Sequence, residues 1–186
     1  MTIRMISDPA QKKLIAAEIL DNLPEWFGIP ESKAAYILES ADLTMIAAFD
    51  DEEAAGFMTM KQTSPMTAEI HVCGAKKRFH RKGIGSAMFE VWRQEAIRCG
   101  YQYAQVKTVA AGCWPEYDAT RMFYEKLGFC ALEVFPTLWD EANPCLIMVM
   151  KPCLRCWHMK ALDYRSNDFR YGFGNTRQMR ESCFCR

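Results

Sequence analysis

Residues 78–88 read RFHRKGIGSAM, a basic stretch with two glycines that lies between a predicted strand and a predicted helix. Gly83 and Gly85 let the backbone turn tightly and let its N–H groups point outward. The first turn of the helix adds free N–H donors and the positive end of the helix dipole. The stretch therefore suits binding of a phosphate or pyrophosphate. The alternative is an ordinary strand-to-helix turn with a solvated basic face.

The strand before this loop is predicted over residues 67–75, because polar and apolar residues alternate there. Strict alternation places Glu69, His71, Cys73 and Ala75 on one face of the strand. The apolar residues after the loop recur at helical spacing and predict a helix. The basic loop thus joins a strand with titratable side chains to the start of a helix.

The whole chain predicts the element order β-α-α-β-β-β-α-β-α-β-β. Among its helices, one is predicted at 9–22 and another from a cap at Asp118. The last two strands are predicted at 129–135 and 145–150, separated by a turn at 138–144. Antiparallel meanders with two crossover helices indicate the α/β (α+β) class. We expect a mixed, mostly antiparallel sheet of about seven strands, with about four helices on its faces.

An aromatic loop, LPEWFGIP at residues 23–30, follows the first predicted helix. Trp26 and Phe27 either plug the space between the first two helices or form a wall of a substrate pocket. Tyr36, on the second helix, is a third candidate for that wall.

Composition and charge describe an ordinary globular protein of 186 residues. Half of the residues are apolar and a quarter are charged, so one domain with a substantial core is expected. The net charge is zero, so nothing in the chain as a whole favours nucleic acid. No apolar run is long enough to span a membrane, and the N-terminus has no apolar signal core, so we expect a cytoplasmic protein. The nine scattered cysteines are then expected to be free thiols.

Residues 152–186 are predicted to be a separate, basic, cysteine-containing extension. From residue 151 onward the chain carries eight basic and three acidic side chains. Cys153, Cys156 and His158 are of types that bind zinc, but their spacing fits a zinc site on one side only, so no metal is expected. A basic and aromatic contact for RNA or a partner at 170–180 is a second alternative. The simplest prediction is a loosely ordered extension.

Two motifs, in this order, resemble those of the GNAT superfamily of acyl-CoA-dependent N-acetyltransferases. HRKGIG at residues 80–85 is similar to the family's pyrophosphate-binding motif, Gln/Arg-x-x-Gly-x-Gly/Ala, and departs from it at His80. TRMFYEKLGF at 120–129 is similar to the family's FYxxxGF signature. Residues 23–32 and 138–144 also resemble a bacterial subgroup whose substrate is undefined.

The resemblance covers about residues 2–151 and implies an acetyltransferase domain there that binds acetyl-CoA, without a metal. It implies that the strand edge before the basic loop pairs with the pantetheine arm. The N–H of Cys73 would hold the thioester carbonyl, and Ala75 would be the neighbouring contact. The residues implied to hold the CoA pyrophosphate are His80, Arg81, Lys82, Gly83, Ile84, Gly85 and Ser86.

Acetylation of an amine needs a base for the amine and an acid for the leaving thiolate. Tyr124 matches the tyrosine that members of the family place beside the CoA sulfur, and a phenol can protonate a thiolate. Glu69, 14 residues before Gly83, matches the base glutamate of the family's histone-acetylating branch. His71 is an alternative base, because imidazole ordinarily titrates near neutral pH. A chain of water molecules is a third route.

These assignments predict transfer of an acetyl group from acetyl-CoA to a primary amine of a small molecule or peptide, by direct attack. The acceptor pocket is expected beside the first two helices, with Trp26, Phe27 and Tyr36 in its wall. The alternative function is a sensor module that binds acyl-CoA with little turnover. No nucleic acid or membrane partner is expected, and a homodimer is left open.

Overall fold

The computed structural model describes residues 1–152, so the predictions of zinc, RNA or loose order for the tail lie outside the described residues. A short 3-10 helix (Lys77–Phe79) accompanies the longer elements. The strands are β1 (Thr2–Ile6), β2 (Thr44–Asp50), β3 (Glu53–Ser64), β4 (Thr67–Ala75), β5 (Tyr103–Val109), β6 (Cys130–Asp140) and β7 (Asn143–Met150). The helices are α1 (Pro9–Asp21), α2 (Pro30–Ser40), α3 (Ile84–Arg98) and α4 (Pro115–Lys126). No helix within residues 1–152 is both long enough and apolar enough to cross a membrane.

The strands form one seven-stranded sheet in the order β1-β2-β3-β4-β5-β7-β6. β4 and β5 run parallel, paired over residues 67–70 and 103–106, and the other five pairings are antiparallel. Parallel neighbours need a crossover connection, which α3 supplies here. The predicted fold class and the predicted order of strands and helices are confirmed.

Helices cover both faces of the sheet, and each face has its own apolar core. On one face α3 and α4 pack around Trp92, whose indole N–H is satisfied by the carbonyl of Thr59 at 3.1 Å. On the other face α1 and α2 pack around fully buried side chains such as Ile19 and Phe57. We call these the α3/α4 face and the α1/α2 face. A site within the sheet can therefore be reached by side chains from two separate helical layers.

The ends of α1 and α3 follow local rules that the sequence displays. The Asp8 carboxylate accepts hydrogen bonds from the backbone N–H groups of Ala10 and Gln11 at 3.4 and 3.0 Å, and Pro9 occupies the first turn. Gly100 follows the end of α3 with φ +82°, the left-handed conformation that favours glycine. Both predicted boundaries are confirmed.

Two predicted boundaries near the end of the sheet are wrong. α4 begins at Pro115, ahead of the predicted cap at Asp118, because a proline in the first turn lacks only an N–H that would have no helical partner. Most of the predicted turn at 138–144 is strand, since β6 continues to Asp140 and β7 starts at Asn143. The Asp140 carboxylate accepts hydrogen bonds from two backbone N–H groups of the tight turn that remains.

The alternation predicted along β4 is wrong beyond His71. There β4 carries two residues, His71 and Val72, opposite the single residue Thr59 of β3, which is a β-bulge. The buried hydroxyl of Thr59 occupies the bulge. It accepts a hydrogen bond from the Val72 N–H at 3.1 Å and donates one to the Val72 carbonyl at 3.0 Å. These two bonds satisfy backbone groups that the bulge removes from the regular ladder.

The bulge divides the candidate site residues of β4 between the two faces of the sheet. Glu69 and His71 lie on the α1/α2 face, where the His71 ring contacts Tyr36. Cys73 turns to the α3/α4 face and contacts Tyr124. The candidate site residues of β4 therefore do not all lie on one face of the sheet, as strict alternation would predict.

Candidate active site

The site lies where β4 and β5 separate within the sheet. Their pairing ends at Ile70 and Val106, whereas β4 continues to Ala75 and β5 to Val109. In the described chain, no strand fills the space between the two edges beyond that point. We call this space the β4–β5 gap. It offers backbone donors and acceptors at its edges and side chains from both helical layers at its rim.

Tyr124 borders the gap from the α3/α4 face. Its hydroxyl lies 3.3 Å from Sγ of Cys73, and its side chain is buried. Burial, followed by the proximity of Cys73, raises the pKa of Tyr124 well above its ordinary value of 10. Burial also raises the pKa of the Cys73 thiol. At neutral pH both groups are therefore protonated, and Tyr124 can donate a proton or a hydrogen bond into the gap.

Glu69 borders the gap on the α1/α2 face and is nearly inaccessible, with 3% of its surface exposed. Its carboxylate accepts hydrogen bonds from Gln105 at 2.5 Å and from Lys107 at 2.8 Å, and Nδ1 of His71 lies 3.5 Å away. Burial alone would raise the pKa of Glu69, but hydrogen bonds from His71, Lys107 and Gln105 outweigh burial and lower the pKa from 4.5 to about 2. The carboxylate is therefore fully ionised at neutral pH and is a weak proton acceptor.

The ionised state of Glu69 predicts a specific loss of stability in acid. A carboxyl group whose pKa is lower in the folded than in the unfolded protein stabilises the fold above pH 4.5, and this contribution disappears as the pH falls towards 2. A shift of this size corresponds to roughly 3 kcal/mol. Urea unfolding at several pH values from 7 to 2.5 should show a smaller loss of stability in Glu69→Gln than in the wild type. Glu31→Gln, which changes an exposed carboxylate of α2, should follow the wild type, and equal slopes for all three proteins would refute the assignment.

His71 lies between two carboxylates. Its side chain is 13% exposed, and Nε2 lies 2.9 Å from Oε2 of Glu39. Lys61 pairs with the same Glu39 carboxylate at 2.7 Å. The imidazole is thus held beside the gap, with each of its ring nitrogens next to a carboxylate.

The three predicted acceptor-wall residues separate into two groups. Phe27 contacts Tyr36 edge to face with ring centroids 6.0 Å apart, and Tyr36 contacts His71 in the same way at 5.4 Å. Trp26 instead contacts the ring of His80 at 6.0 Å, in the basic loop. Phe27 and Tyr36 are therefore next to the candidate base, whereas Trp26 lies on the side of the basic loop.

The basic loop turns into α3 through two residues with left-handed backbone conformation, Arg81 at φ +60° and Gly83 at φ +80°. The first hydrogen bond of the helix joins the N–H of Ala87 to the carbonyl of Gly83. The N–H groups of residues 84–86 therefore have no acceptor within the helix, as an anion site requires. The predicted residues from Arg81 to Ser86 lie together in this turn.

Three residues in and around the basic loop contact other parts of the protein, in addition to any role in binding phosphate. A Cβ at Gly85 would lie 2.9 Å from the Phe123 ring, so a side chain there would displace Phe123 of α4. Nε2 of His80 lies 2.7 Å from the carbonyl of Ala75, the residue predicted to contact pantetheine. Arg78 is paired with Glu53, which reduces the charge available to a ligand.

Two buried polar atoms lie on the two strands that border the gap. Among residues 1–152, Oγ1 of Thr108 is a buried side-chain atom without a hydrogen-bond partner, and Nε2 of His71 lies 2.9 Å from the Glu39 carboxylate. His71 follows the last β4 residue paired with β5. Thr108 lies on β5, two residues beyond the last pair, and is 2% exposed. An unpaired buried polar group is costly, so the hydroxyl of Thr108 indicates a site for a polar ligand at this edge of the gap.

Three functional candidates on β5 were missed from sequence. Gln105 and Lys107 hold Glu69, and Thr108 has the unpaired hydroxyl. The available signal was the alternation of β5: Gln105 and Lys107 alternate with the apolar Ala104 and Val106 in a strand that the fold places in the middle of the sheet. Polar side chains on a strand covered from both faces need partners, and so indicate a buried polar cluster.

Comparison with known proteins identifies the family of this chain. The sequence model of the acetyltransferase (GNAT) family matches residues 14–129, which contain every candidate site residue described above. The chain belongs to this family. It is an N-acetyltransferase, and the resemblance stated from the two motifs is confirmed.

Relatives support the family and the fold. An uncharacterised N-acetyltransferase of Bacillus subtilis, YsnE, is 26% identical over 117 residues, which cover 61% of this chain and 76% of the relative. The structure of a GNAT-family protein from Desulfovibrio desulfuricans matches with a TM-score of 0.71 and 18% identity, over 82% of this chain and 99% of that one. An aminoglycoside 6'-N-acetyltransferase in complex with coenzyme A matches with a TM-score of 0.64 and 19% identity, over 82% and 98%.

Proposed function

We propose that this protein transfers an acetyl group from acetyl-CoA to a primary amine of a small molecule or peptide, by direct attack of the amine on the thioester. The observation that carries the proposal is the arrangement of the β4–β5 gap. A buried, protonated phenol borders it on the α3/α4 face, and an imidazole held by carboxylates borders it on the α1/α2 face. An acid and a base on opposite sides of a gap suit a reaction in which the two substrates meet from opposite sides of the sheet.

The residues around the basic loop fit the acyl donor. The N–H groups at the start of α3 suit the pyrophosphate, and the edge of β4 at Cys73 and Ala75 suits the pantetheine arm. The N–H of Cys73 would hold the thioester carbonyl, where negative charge develops during attack. The carbonyl of Ala75 accepts from His80, so pantetheine would share or replace that bond. Two structural neighbours are in complex with coenzyme A or acetyl-CoA, which agrees with this donor.

The protonation states of the side chains indicate which groups give and accept protons. The new C–N bond forms as the C–S bond breaks. His71 accepts the proton that the amine loses, and Tyr124 gives its proton to the departing sulfur. Glu69, with its low pKa, is the ionised carboxylate that orients His71 and Lys107. We therefore propose His71 as the base and Glu69 as a residue that positions it.

The amine would reach His71 past Phe27, Tyr36 and Glu39. Glu39 is 44% exposed and keeps part of its negative charge beside Lys61, and the two aromatic rings offer π faces. Both features attract a cationic amine. The cationic amine would first release one proton to solvent, which produces the neutral nucleophile. The imidazole would take the second proton as the C–N bond forms.

The unpaired hydroxyl of Thr108 supplies a test of the ligand-filled gap. Thr108→Val replaces a buried hydroxyl without a partner by a methyl group of the same shape. The ligand-free protein should therefore become more stable, by about 1 kcal/mol or a few degrees in Tm. The same change should reduce the Tm increase caused by acetyl-CoA, because the bound donor loses a hydrogen-bond partner. Scanning calorimetry with and without acetyl-CoA measures both effects.

Thr59→Val is the matched control, because the buried hydroxyl of Thr59 has two hydrogen bonds to Val72. It should lower the Tm of the ligand-free protein. Thr108→Ser should keep the wild-type response to acetyl-CoA. A lower Tm for ligand-free Thr108→Val would show that the hydroxyl is already satisfied, and no response of the wild type to acetyl-CoA would refute the proposed function.

A further inference from the structure

Trp26 connects the aromatic loop between α1 and α2 to the opposite side of the β4–β5 gap. Its indole Nε1 donates a hydrogen bond to Oγ1 of Thr120 at 3.2 Å, and its carbonyl accepts one from the hydroxyl of Tyr117 at 2.9 Å. Both partners belong to α4. The ring also meets His80 edge to face. One residue of a loop next to α1 thus contacts α4 and the basic loop through separate contacts.

The contacts on α4 lie on the helix face that carries the candidate acid. Tyr117, Thr120 and Tyr124 are separated by three and four residues, which places them in one row along the helix. Burial, followed by the proximity of Tyr36 and Glu116, raises the pKa of Tyr117. The position of Trp26 is therefore tied to the position of Tyr124.

The neighbouring residue Phe27 continues the connection to the candidate base. Phe27 contacts Tyr36, and Tyr36 contacts His71. A continuous series of contacts thus runs from the acid-bearing helix through Trp26 and Phe27 to the base. This series links α4 to His71, which follows the last β4 residue that pairs with β5.

We propose that Trp26 is a positioning residue that sets the separation between Tyr124 and His71. This inference rests on the proposed function. Acid and base must both lie within hydrogen-bond reach of a reacting centre, and a displacement of about 1 Å is enough to slow such a reaction strongly. The gap lacks a ladder of hydrogen bonds to hold its edges, so side-chain contacts fix their distance: Cys73 with Tyr124 at one point, and Trp26 with α4 at another. The hydrogen bond from the indole N–H of Trp26 to the hydroxyl of Thr120 is the contact in this series that a substitution can remove with the smallest change in side-chain shape.

The experiment compares four variants with the wild type in acetyl-CoA turnover, with the amine that the wild type acetylates fastest. Trp26→Phe removes the indole N–H, and Thr120→Val removes its acceptor. Each should lower kcat about 5- to 10-fold while leaving the Kd of acetyl-CoA within twofold. The double variant should be no slower than either single variant, because both changes remove the same bond. Thr120→Ser keeps the acceptor and should restore kcat.

Backbone hydrogen exchange supplies a readout that does not depend on turnover. Exchange at residues 23–29 should become at least fivefold faster in Trp26→Phe and Thr120→Val, and should stay at the wild-type rate in Thr120→Ser. Additive losses of kcat in the double variant, or unchanged exchange in the single variants, would overturn the proposal. A wild type that binds acetyl-CoA but acetylates no amine would refute the proposed function. The exchange data would then still decide whether Trp26 holds the loop.

Discussion

Tyr124→Phe should lower kcat about 100-fold and leave the Kd of acetyl-CoA nearly unchanged. The substitution removes one oxygen atom, which is the group that we propose to protonate the departing thiolate. Because the pKa of Tyr124 lies well above 10, the phenol keeps its proton throughout the pH range in which the protein can be assayed. The wild-type to mutant rate ratio should therefore stay constant from neutral to mildly alkaline pH. Steady-state release of CoA and calorimetric titration of acetyl-CoA measure the two quantities.

The control for this substitution is Tyr103→Phe, which changes an exposed tyrosine at the start of β5. It should turn over like the wild type. The thermal stability of Tyr124→Phe should change little, because the hydroxyl's observed partner is the Cys73 thiol, a weak hydrogen-bonding group. A kcat for Tyr124→Phe within threefold of the wild type would show that the thiolate obtains its proton elsewhere.

His71→Gln should lower kcat/KM about 100-fold, and the rise of the rate with pH that a base produces should disappear. Glutamine occupies a similar volume and forms hydrogen bonds, but it does not accept a proton at these pH values. Small exogenous amine bases such as imidazole should partly restore turnover in His71→Gly, because the space left by the ring borders the gap. The pH dependence of CoA release measures the first effect, and its dependence on imidazole concentration measures the second.

Glu69→Gln distinguishes the possible bases. If Glu69 only positions His71 and Lys107, its substitution should cost less activity than His71→Gln, and the pH dependence of the rate should remain. A larger loss in Glu69→Gln than in His71→Gln would make Glu69 the base despite its low pKa. Losses below about fivefold in both variants would favour a chain of water molecules.

The sequence predicts the fold well because its local signals agree with one another. The structure confirms the predicted cap at Asp8, the glycine after α3 and the element order. The basic loop and Tyr124 could be found because each lies in a motif of consecutive residues. These features depend on neighbours along the chain, which the sequence displays directly.

The remaining features depend on contacts between distant residues. The bulge at His71 and Val72 is stabilised by Thr59, which is 13 residues away from Val72. The sequence of β4 alone therefore does not predict the bulge. The low pKa of Glu69 likewise depends on donors 36 and 38 residues away in Gln105 and Lys107. Trp26 was expected in the acceptor wall because it lies in the aromatic loop between the first two helices, but its partner Thr120 is 94 residues away. Pairing in the sheet and packing of helices bring these groups together.

Release of CoA from acetyl-CoA over a panel of primary amines tests the central claim most directly. The panel should contain small cationic amines, aminoglycosides and peptides with free N-termini, and the product should be identified by mass spectrometry. The account predicts turnover with at least one amine, an N-acetylated product that is one acetyl group heavier, and loss of turnover in Tyr124→Phe and His71→Gln. Tight binding of acetyl-CoA with no turnover on any amine would contradict it and would favour an acyl-CoA sensor.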